Sequence, residues 1–242
     1  MRFITVIVVA AGKSERLKNK ISKPLIKINS KPILIYSLEV FNKLLEINEI
    51  IVVANTANLE SVKRLVARYK INKVKQIVLG GARRQDSVLN GLFAMNPRTN
   101  LVLVHDGGRP FVSRKIVSDV IKETLKTGAA VPGIPVKATL KKVTKSQGHL
   151  PCRQAGKVTG KLVVKETVDR SDLWEAQTPQ GFRADLLFVA YNRFKDIDVT
   201  DDAGVLEKFG IPVSMVSSDA RNIKITTPED LIIAEAIAKL VK

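Results

Sequence analysis

Cysteine is nearly absent from this chain. The single Cys152 excludes an intramolecular disulfide and any zinc site built from several thiolates, and it suits a reducing, cytoplasmic setting. Histidine is almost as scarce: His105 and His149 alone cannot make a His-rich metal centre. No apolar run reaches the roughly 18 residues of a spanning helix. The apolar start, Ile4–Val9, is too short for a signal peptide and leads into a Gly-containing loop. Acid is also in short supply. The 242 residues include 40 Lys and Arg against 23 Asp and Glu, a net charge of +17. Such an excess calls for an acidic partner: a nucleotide, a phosphorylated substrate, nucleic acid or an anionic surface. Neither a Walker A loop nor the Gly-x-Gly-x-x-Gly fingerprint is present, which disfavours those two nucleotide-binding classes.

What is there is the composition of a globular chain, 45% apolar and 26% charged. Strand and helix patterns alternate. Ile4–Val9 is a continuous β-branched run suited to a strand buried on both faces, and Ile50–Ala54, Gln76–Leu79 and Leu101–His105 also read as strands. Pro32–Leu45, Leu59–Tyr69, Ser87–Met95 and Arg114–Thr127 carry helical spacing between and after them. Ala129–Val136 reads as extended, Asp185–Phe194 and Ala203–Phe209 as helices, Val213–Val216 and Asn222–Thr226 as strands, and Pro228–Val241 as a last helix. The rhythm predicts an α/β fold with a mainly parallel sheet and helices on both faces. It forms one domain over 1–242, with an arm at about 137–170.

The arm is where charge concentrates. From Lys137 to Lys165 there are eight basic residues and no acidic one. The stretch is weakly apolar and rich in Gly, Thr, Ser and Gln, as expected of an exposed hairpin. No aromatic residues interleave with its charges, which argues against a nucleic-acid surface. A solvated insertion, a subunit interface and a substrate cover remain as readings.

In open α/β sheets, ligands bind beyond the carboxyl ends of the strands. Beyond the first strand lies Ala10-Ala11-Gly12-Lys13-Ser14-Glu15-Arg16, with Lys23 close behind. Small residues let backbone N–H groups approach phosphate oxygens, and the cations add to the attraction. Gly80-Gly81-Ala82-Arg83-Arg84-Gln85-Asp86-Ser87 is a second Gly-rich, basic exit, where Asp86 or Ser87 is either a ligand group or an N-cap. The strand over 101–104 runs out into His105-Asp106-Gly107-Gly108-Arg109-Pro110; a carboxylate there can hold Mg²⁺, accept from a substrate hydroxyl, or simply form the turn. In Asn222-Ile223-Lys224-Ile225-Thr226, the two isoleucines face one side and Lys224 the other, where an anion would offset the cost of its burial. Thr227, Pro228 and Asp230 have the pattern of a helix start.

Taken in order, these pieces resemble one family. The carrying motifs are Ala10-Ala11-Gly12 with Arg16, Lys23, Gly80-Gly81 with Arg84 and Ser87-Val88, and Val104-His105-Asp106 with Arg109-Pro110. They continue with Thr167-Val168-Asp169-Arg170, Gln177-Thr178-Pro179-Gln180, Thr200-Asp201-Asp202 and Asn222–Thr226. They resemble the 2-C-methyl-D-erythritol 4-phosphate cytidylyltransferase family over nearly the whole chain. The resemblance implies a Rossmann-like core, a β-arm shared in a homodimer, and attack by a substrate phosphate oxygen on the α-phosphorus of CTP with Mg²⁺ or another divalent cation present. It implies catalytic roles for Arg16, Lys23, Arg170 and Lys224, and nucleotide contacts from Ala10, Ala11, Gly12, Gly81, Ala82 and Ser87. It places Asp106, Arg109, Thr139, Thr178 and Thr200 around the second substrate; by its position at the strand end Asp106 is also the candidate metal ligand. The nearest rival is a cytidylyltransferase acting on ribitol 5-phosphate or a related pentitol phosphate. A more distant one is a basic nucleic-acid-binding protein on a degenerate transferase fold.

Overall fold

The computed structural model describes residues 2–12, 22–145, 162–194 and 198–240. Strands β1 (Phe3–Val9), β4 (Glu49–Ala54) and β6 (Thr99–Asp106) are apolar at most positions because helices cover both of their faces. Ile4, Val6 and Val8 point to one side, with Ile50, Val52, Leu101 and Leu103; Ile7, Val53, Val102 and Val104 point to the other. The first side is packed by α1 (Ile33–Lys43), α2 (Leu59–Arg68) and α4 (Arg114–Thr127). The second is packed by α3 (Arg84–Phe93), α5 (Ala184–Arg193) and α6 (Ala203–Lys208). The alternating two-sided burial explains why these runs read as continuous rather than alternating in sequence. Between β1 and α1, β2 (Lys27–Ile28) and β3 (Lys31–Pro32) form a separate short antiparallel pair.

The remaining sheet strands are β5 (Val74–Leu79), β7 (Ala129–Pro135), β10 (Trp174–Ala176), β11 (Gln180–Arg183) and β12 (Ser214–Ser217). The order is β10-β7-β11-β6-β1-β4-β5, with β12 parallel on β7. The sheet is mainly parallel, as the sequence predicts, but β11 lies antiparallel between β6 and β7. Neither β10 nor β11 is anticipated by hydropathy, because three- and four-residue strands carry too little periodicity to read. Helix α3 begins three residues before the predicted Ser87, with Arg83 at its N-cap; the Asp86 carboxylate accepts from the Arg83 N–H at 2.9 Å.

One expected strand does not form. Asn222–Thr226 joins no ladder among the described residues. Its Ile225 N–H donates to Gly108 O at 2.9 Å, while its Asn222 carbonyl accepts from the Arg109 guanidinium at 2.7 Å. Side-chain and loop partners thus satisfy groups that a neighbouring strand would otherwise pair. The alternation nevertheless survives: Ile225 is fully buried against α7 (Pro228–Leu240), and Lys224 faces away. At the start of α7, Asp230 accepts from the N–H groups of Thr226 and Thr227, completing the expected helix start.

The chain divides into two compact units: Met1–Gly133 with Ala176–Lys242, and Ile134–Glu175. In the second, β8 (Leu140–Lys145) and β9 (Leu162–Val168) pair as an antiparallel hairpin with a register shift between Lys142 and Val143.

Gly91 lets α3 approach β1 closely. A Cβ there would stand 2.6 Å from Ile7 Cγ2 on β1. Gly91→Ala therefore loses more to overpacking than it gains in helix propensity, and is expected to lower the unfolding free energy by about 1–3 kcal/mol in a denaturant titration.

Candidate active site

The parallel strands end together, and the candidate groups collect at that edge. β1 and β6 run in register so that Val9 lies beside Asp106. Chain continuing from β1 must therefore pass next to the Asp106 turn, and the Gly107 N–H donates to Val9 O at 2.9 Å. A cavity of about 520 Å³ opens there. Its lining includes Ala10, Ala11, Gly12, Lys23, Gly81, Ala82, Ser87, Asp106 and Lys224. That volume suits a nucleotide-sized ligand.

Two buried-side asparagines hold the floor, and sequence reading missed both. Asn58, fully buried, donates from Nδ2 to Ala10 O at 3.0 Å and to Ser22 Oγ at 2.9 Å. It thereby ties the exit of β1 to the 3₁₀ turn Lys23–Leu25. Asn55 donates to Ala11 O at 3.0 Å. Lys23 lies across Gly108, where an added Cβ would sit 3.3 Å from its Cδ. The second Gly-rich exit closes on the first: a Cβ at Gly80 would be 2.6 Å from both Ala11 Cβ and Ser87 Oγ. Ser87 Oγ accepts from the Gly81 N–H at 3.1 Å and donates to Arg83 O at 3.2 Å.

Asp106 is the electrostatic centre. Its Oδ2 is 2.6 Å from Lys224 Nζ, and its Oδ1 is 3.1 Å from Arg84 Nε. Burial works to raise its pKa, but the charges of Arg84 and Lys224 outweigh that and hold the carboxyl well below the usual carboxylate range. Arg84 in turn grips Asp202, at 3.0 Å from one terminal nitrogen and 2.7 Å from the other. Burial opposes the Arg84 charge, yet Asp202 and Asp106 more than offset it and raise its pKa. The Tyr191 hydroxyl also donates to Asp202. Nothing in the sequence pairs Arg84 with a residue 118 positions away; both stood in the motifs without a role.

Behind Asp106, Thr178 and His105 form a short relay. The His105 ring bonds Arg109 O at 3.0 Å through Nε2, so the proton sits on Nε2 and Nδ1 accepts from the Thr178 hydroxyl at 3.1 Å. The same hydroxyl accepts from the Asp106 N–H at 3.1 Å. Arg109 donates to the carbonyls of Asn222 and Ala176. Asn222, fully buried, donates to Gln177 Oε1 at 2.8 Å and to Thr178 O at 3.0 Å. Lys224 is thus aimed by an anchored residue on each side.

One expected residue of the first unit is not brought to this edge. Thr200 is exposed just before α6 and does not line the cavity. Thr139 and Arg170 belong to the second unit, where the Arg170 guanidinium donates to the Lys137 carbonyl. Arg16, with Lys13, lies outside the described residues, as do Cys152 and His149.

A parallel α/β sheet whose strand ends carry a small-residue loop, a clamped carboxylate and converging cations defines a nucleotidyltransferase. Comparison with known proteins then gives the branch. The sequence model of the 2-C-methyl-D-erythritol 4-phosphate cytidylyltransferase family matches residues 4–240. The protein of that name from Alkaliphilus metalliredigens is 40% identical over 237 residues, 97% of this chain and 92% of its own. The one from Clostridium botulinum is 40% identical over 235 residues, 96% of each chain. Among solved structures, the 4-diphosphocytidyl-2C-methyl-D-erythritol synthase of Anaerococcus prevotii superposes with a TM-score of 0.81 at 29% identity, covering 98% of this chain and 99% of its own. The 2-C-methyl-D-erythritol 4-phosphate cytidylyltransferase of Thermus thermophilus does so at 0.72 with 33% identity, covering 96% and 98%. This chain belongs to the 2-C-methyl-D-erythritol 4-phosphate cytidylyltransferase family, and it is a cytidylyltransferase. No helix among its described residues is long and apolar enough to cross a membrane.

Burial pushes the His105 pKa down to about 4. The unfolded chain, with an ordinary His, binds more protons between about pH 6.5 and 4, so His105 contributes stability that is full above 6.5 and is lost as pH falls through that window. The loss amounts to about 3 kcal/mol. In His105→Gln, the slope of unfolding free energy against pH over that window should flatten; an unchanged slope would place the proton uptake elsewhere.

Proposed function

We propose that this enzyme transfers CMP from CTP to 2-C-methyl-D-erythritol 4-phosphate, a step of isoprenoid precursor synthesis by the non-mevalonate route. The observation that carries the reading is the cavity itself: one wall of backbone and small side chains, the other of cations around Asp106. An oxygen of the acceptor's phosphate attacks the α-phosphorus of CTP. The bond from that phosphorus to the bridging oxygen breaks, and pyrophosphate leaves with the electron pair. Such chemistry needs positioning and charge stabilisation more than covalent help from the protein. Ala10, Ala11, Gly12, Gly81, Ala82 and Ser87 cradle the nucleotide. Lys23, with Arg16 by family resemblance, stabilises charge that builds on the α- and β-phosphates. Lys224 holds the acceptor phosphate, with Asp106 and Arg109 toward its polyol; Arg170, Thr139 and Thr200 are assigned to the acceptor by family resemblance alone. Thr178 serves this site from behind, since its hydroxyl is already committed to His105 and the Asp106 N–H.

A divalent cation, Mg²⁺ in the first instance, fits this site as a companion of the triphosphate. Asp106 is the only carboxylate among the described lining residues, and each of its oxygens is in an ion pair. Phosphate oxygens and water would therefore supply most of the cation's shell, and Asp106 acts as the anchor of Lys224 rather than as a metal ligand. When bound, the cation neutralises charge across the phosphates.

The test is pyrophosphate release with CTP, Mg²⁺ and either 2-C-methyl-D-erythritol 4-phosphate or ribitol 5-phosphate. We expect kcat/KM to favour the first by about 100-fold or more, as for a site that pairs the acceptor's hydroxyls; preference for the second would reassign the acceptor. Lys23→Ala should lower kcat by about 100-fold with little change in the KM for CTP.

The hairpin of the second unit supports a homodimer. Its Val143, Leu162 and Val164 are all exposed, and two strands alone bury too little to hold such side chains in water. Sedimentation equilibrium at micromolar concentration should return twice the 26.6 kDa chain mass; an active monomer would refute the assembly.

A further inference from the structure

We propose that Asp202 is a positioning residue for Lys224, acting through Arg84 and Asp106, and that Tyr191 holds Asp202 for that purpose. The inference rests on the reading of Lys224 as a binder of the acceptor phosphate.

The geometry is a chain of alternating charge that leads from the core to the cavity. Asp202 is wholly buried, and its backbone N–H donates to Gln180 Oε1 at 3.0 Å. Its carboxylate takes the Tyr191 hydroxyl and both terminal nitrogens of Arg84. A guanidinium binds a carboxylate best through two parallel N–H groups. Because Asp202 holds both terminal nitrogens of Arg84, it fixes how the guanidinium lies, and in that orientation Arg84 meets Asp106 through Nε at Oδ1. Oδ2 therefore stays open to Lys224, at 2.6 Å. Without Asp202, the fork of Arg84 would be free to turn onto both oxygens of Asp106 and displace the ammonium. Asp202 thus decides which cation owns Oδ2, although it does not line the cavity.

This predicts the opposite of a simple field effect. Removing a negative charge from behind an anion-binding cavity should tighten phosphate binding if only the field mattered. A positioning role makes it weaker. The experiment measures, by calorimetry, the Kd of 2-C-methyl-D-erythritol 4-phosphate on enzyme loaded with a non-reacting CTP analogue, and separately the Kd of that analogue. Four proteins are compared: wild type, Asp202→Asn, Lys224→Ala and the double variant. We expect Asp202→Asn to weaken the acceptor about 10-fold and to change the analogue by less than about twofold. In the Lys224→Ala background the same substitution should add nothing, because both act through one ammonium. Asp202→Asn that tightens or leaves the acceptor unchanged overturns the proposal, as does an equal loss in both backgrounds, which would mark a merely structural role. If Lys224→Ala itself leaves acceptor binding intact, or wild type does not bind the acceptor, the reading of the site fails and the proposal falls with it. Should Asp202→Asn not fold, Tyr191→Phe removes only the hydroxyl on Asp202. It should weaken the acceptor about two- to threefold with the analogue unaffected, and no change there is equally decisive against the proposal.

Discussion

Everything in this molecule depends on the burial of β1, β4 and β6 on both faces. A strand covered by helices on each side has no position where a charged group can meet water along its length. Polar function is forced to the strand ends. The parallel register of β1 with β6 then brings the small-residue loop after Val9 and the carboxylate of Asp106 to the same edge. The cavity is the consequence of that geometry, since the crossover helices leave a crevice where the strands stop.

At that edge the protein solves an electrostatic problem. A site for two phosphorylated substrates must be cationic, yet unpaired cations repel one another and wander. Here Lys224 and Arg84 are both held by Asp106, and Arg84 is held again by Asp202. Two positive and two negative charges make a locally neutral, ordered array, with the Lys224 ammonium at its outer end. Uncharged groups do similar work on the opposite wall, where Asn55 and Asn58 tether the backbone of the loop after β1.

Much of the fold was legible because it rests on local patterns. Arg114–Thr127 was read with the bounds it has, since Ser113 caps its start and Gly128, at φ 92°, ends it. Two sheet strands that sequence reading missed, β10 and β11, are short, and the pairing of β11 comes from distant partners. Asn222–Thr226 shows the limit from the other side. Its alternation of Ile223, Lys224 and Ile225 is a true record of which side chain faces the core, but alternation cannot say whether a neighbouring strand is there to pair with it.

The order of motifs along the chain, the small residues at the strand exits and the surplus of Lys and Arg were enough to point to a nucleotidyltransferase and to its family. Those features are properties of residue type and spacing, which a linear reading retains. Which carboxylate each cation grips was decided only by the tertiary structure. Arg84 and Asp202 are 118 residues apart, and Lys224 meets Asp106 across a similar stretch of chain. Ion pairs of that kind exist only after several strands and helices have packed, because it is the packing that removes water and fixes the few ångströms on which each interaction depends.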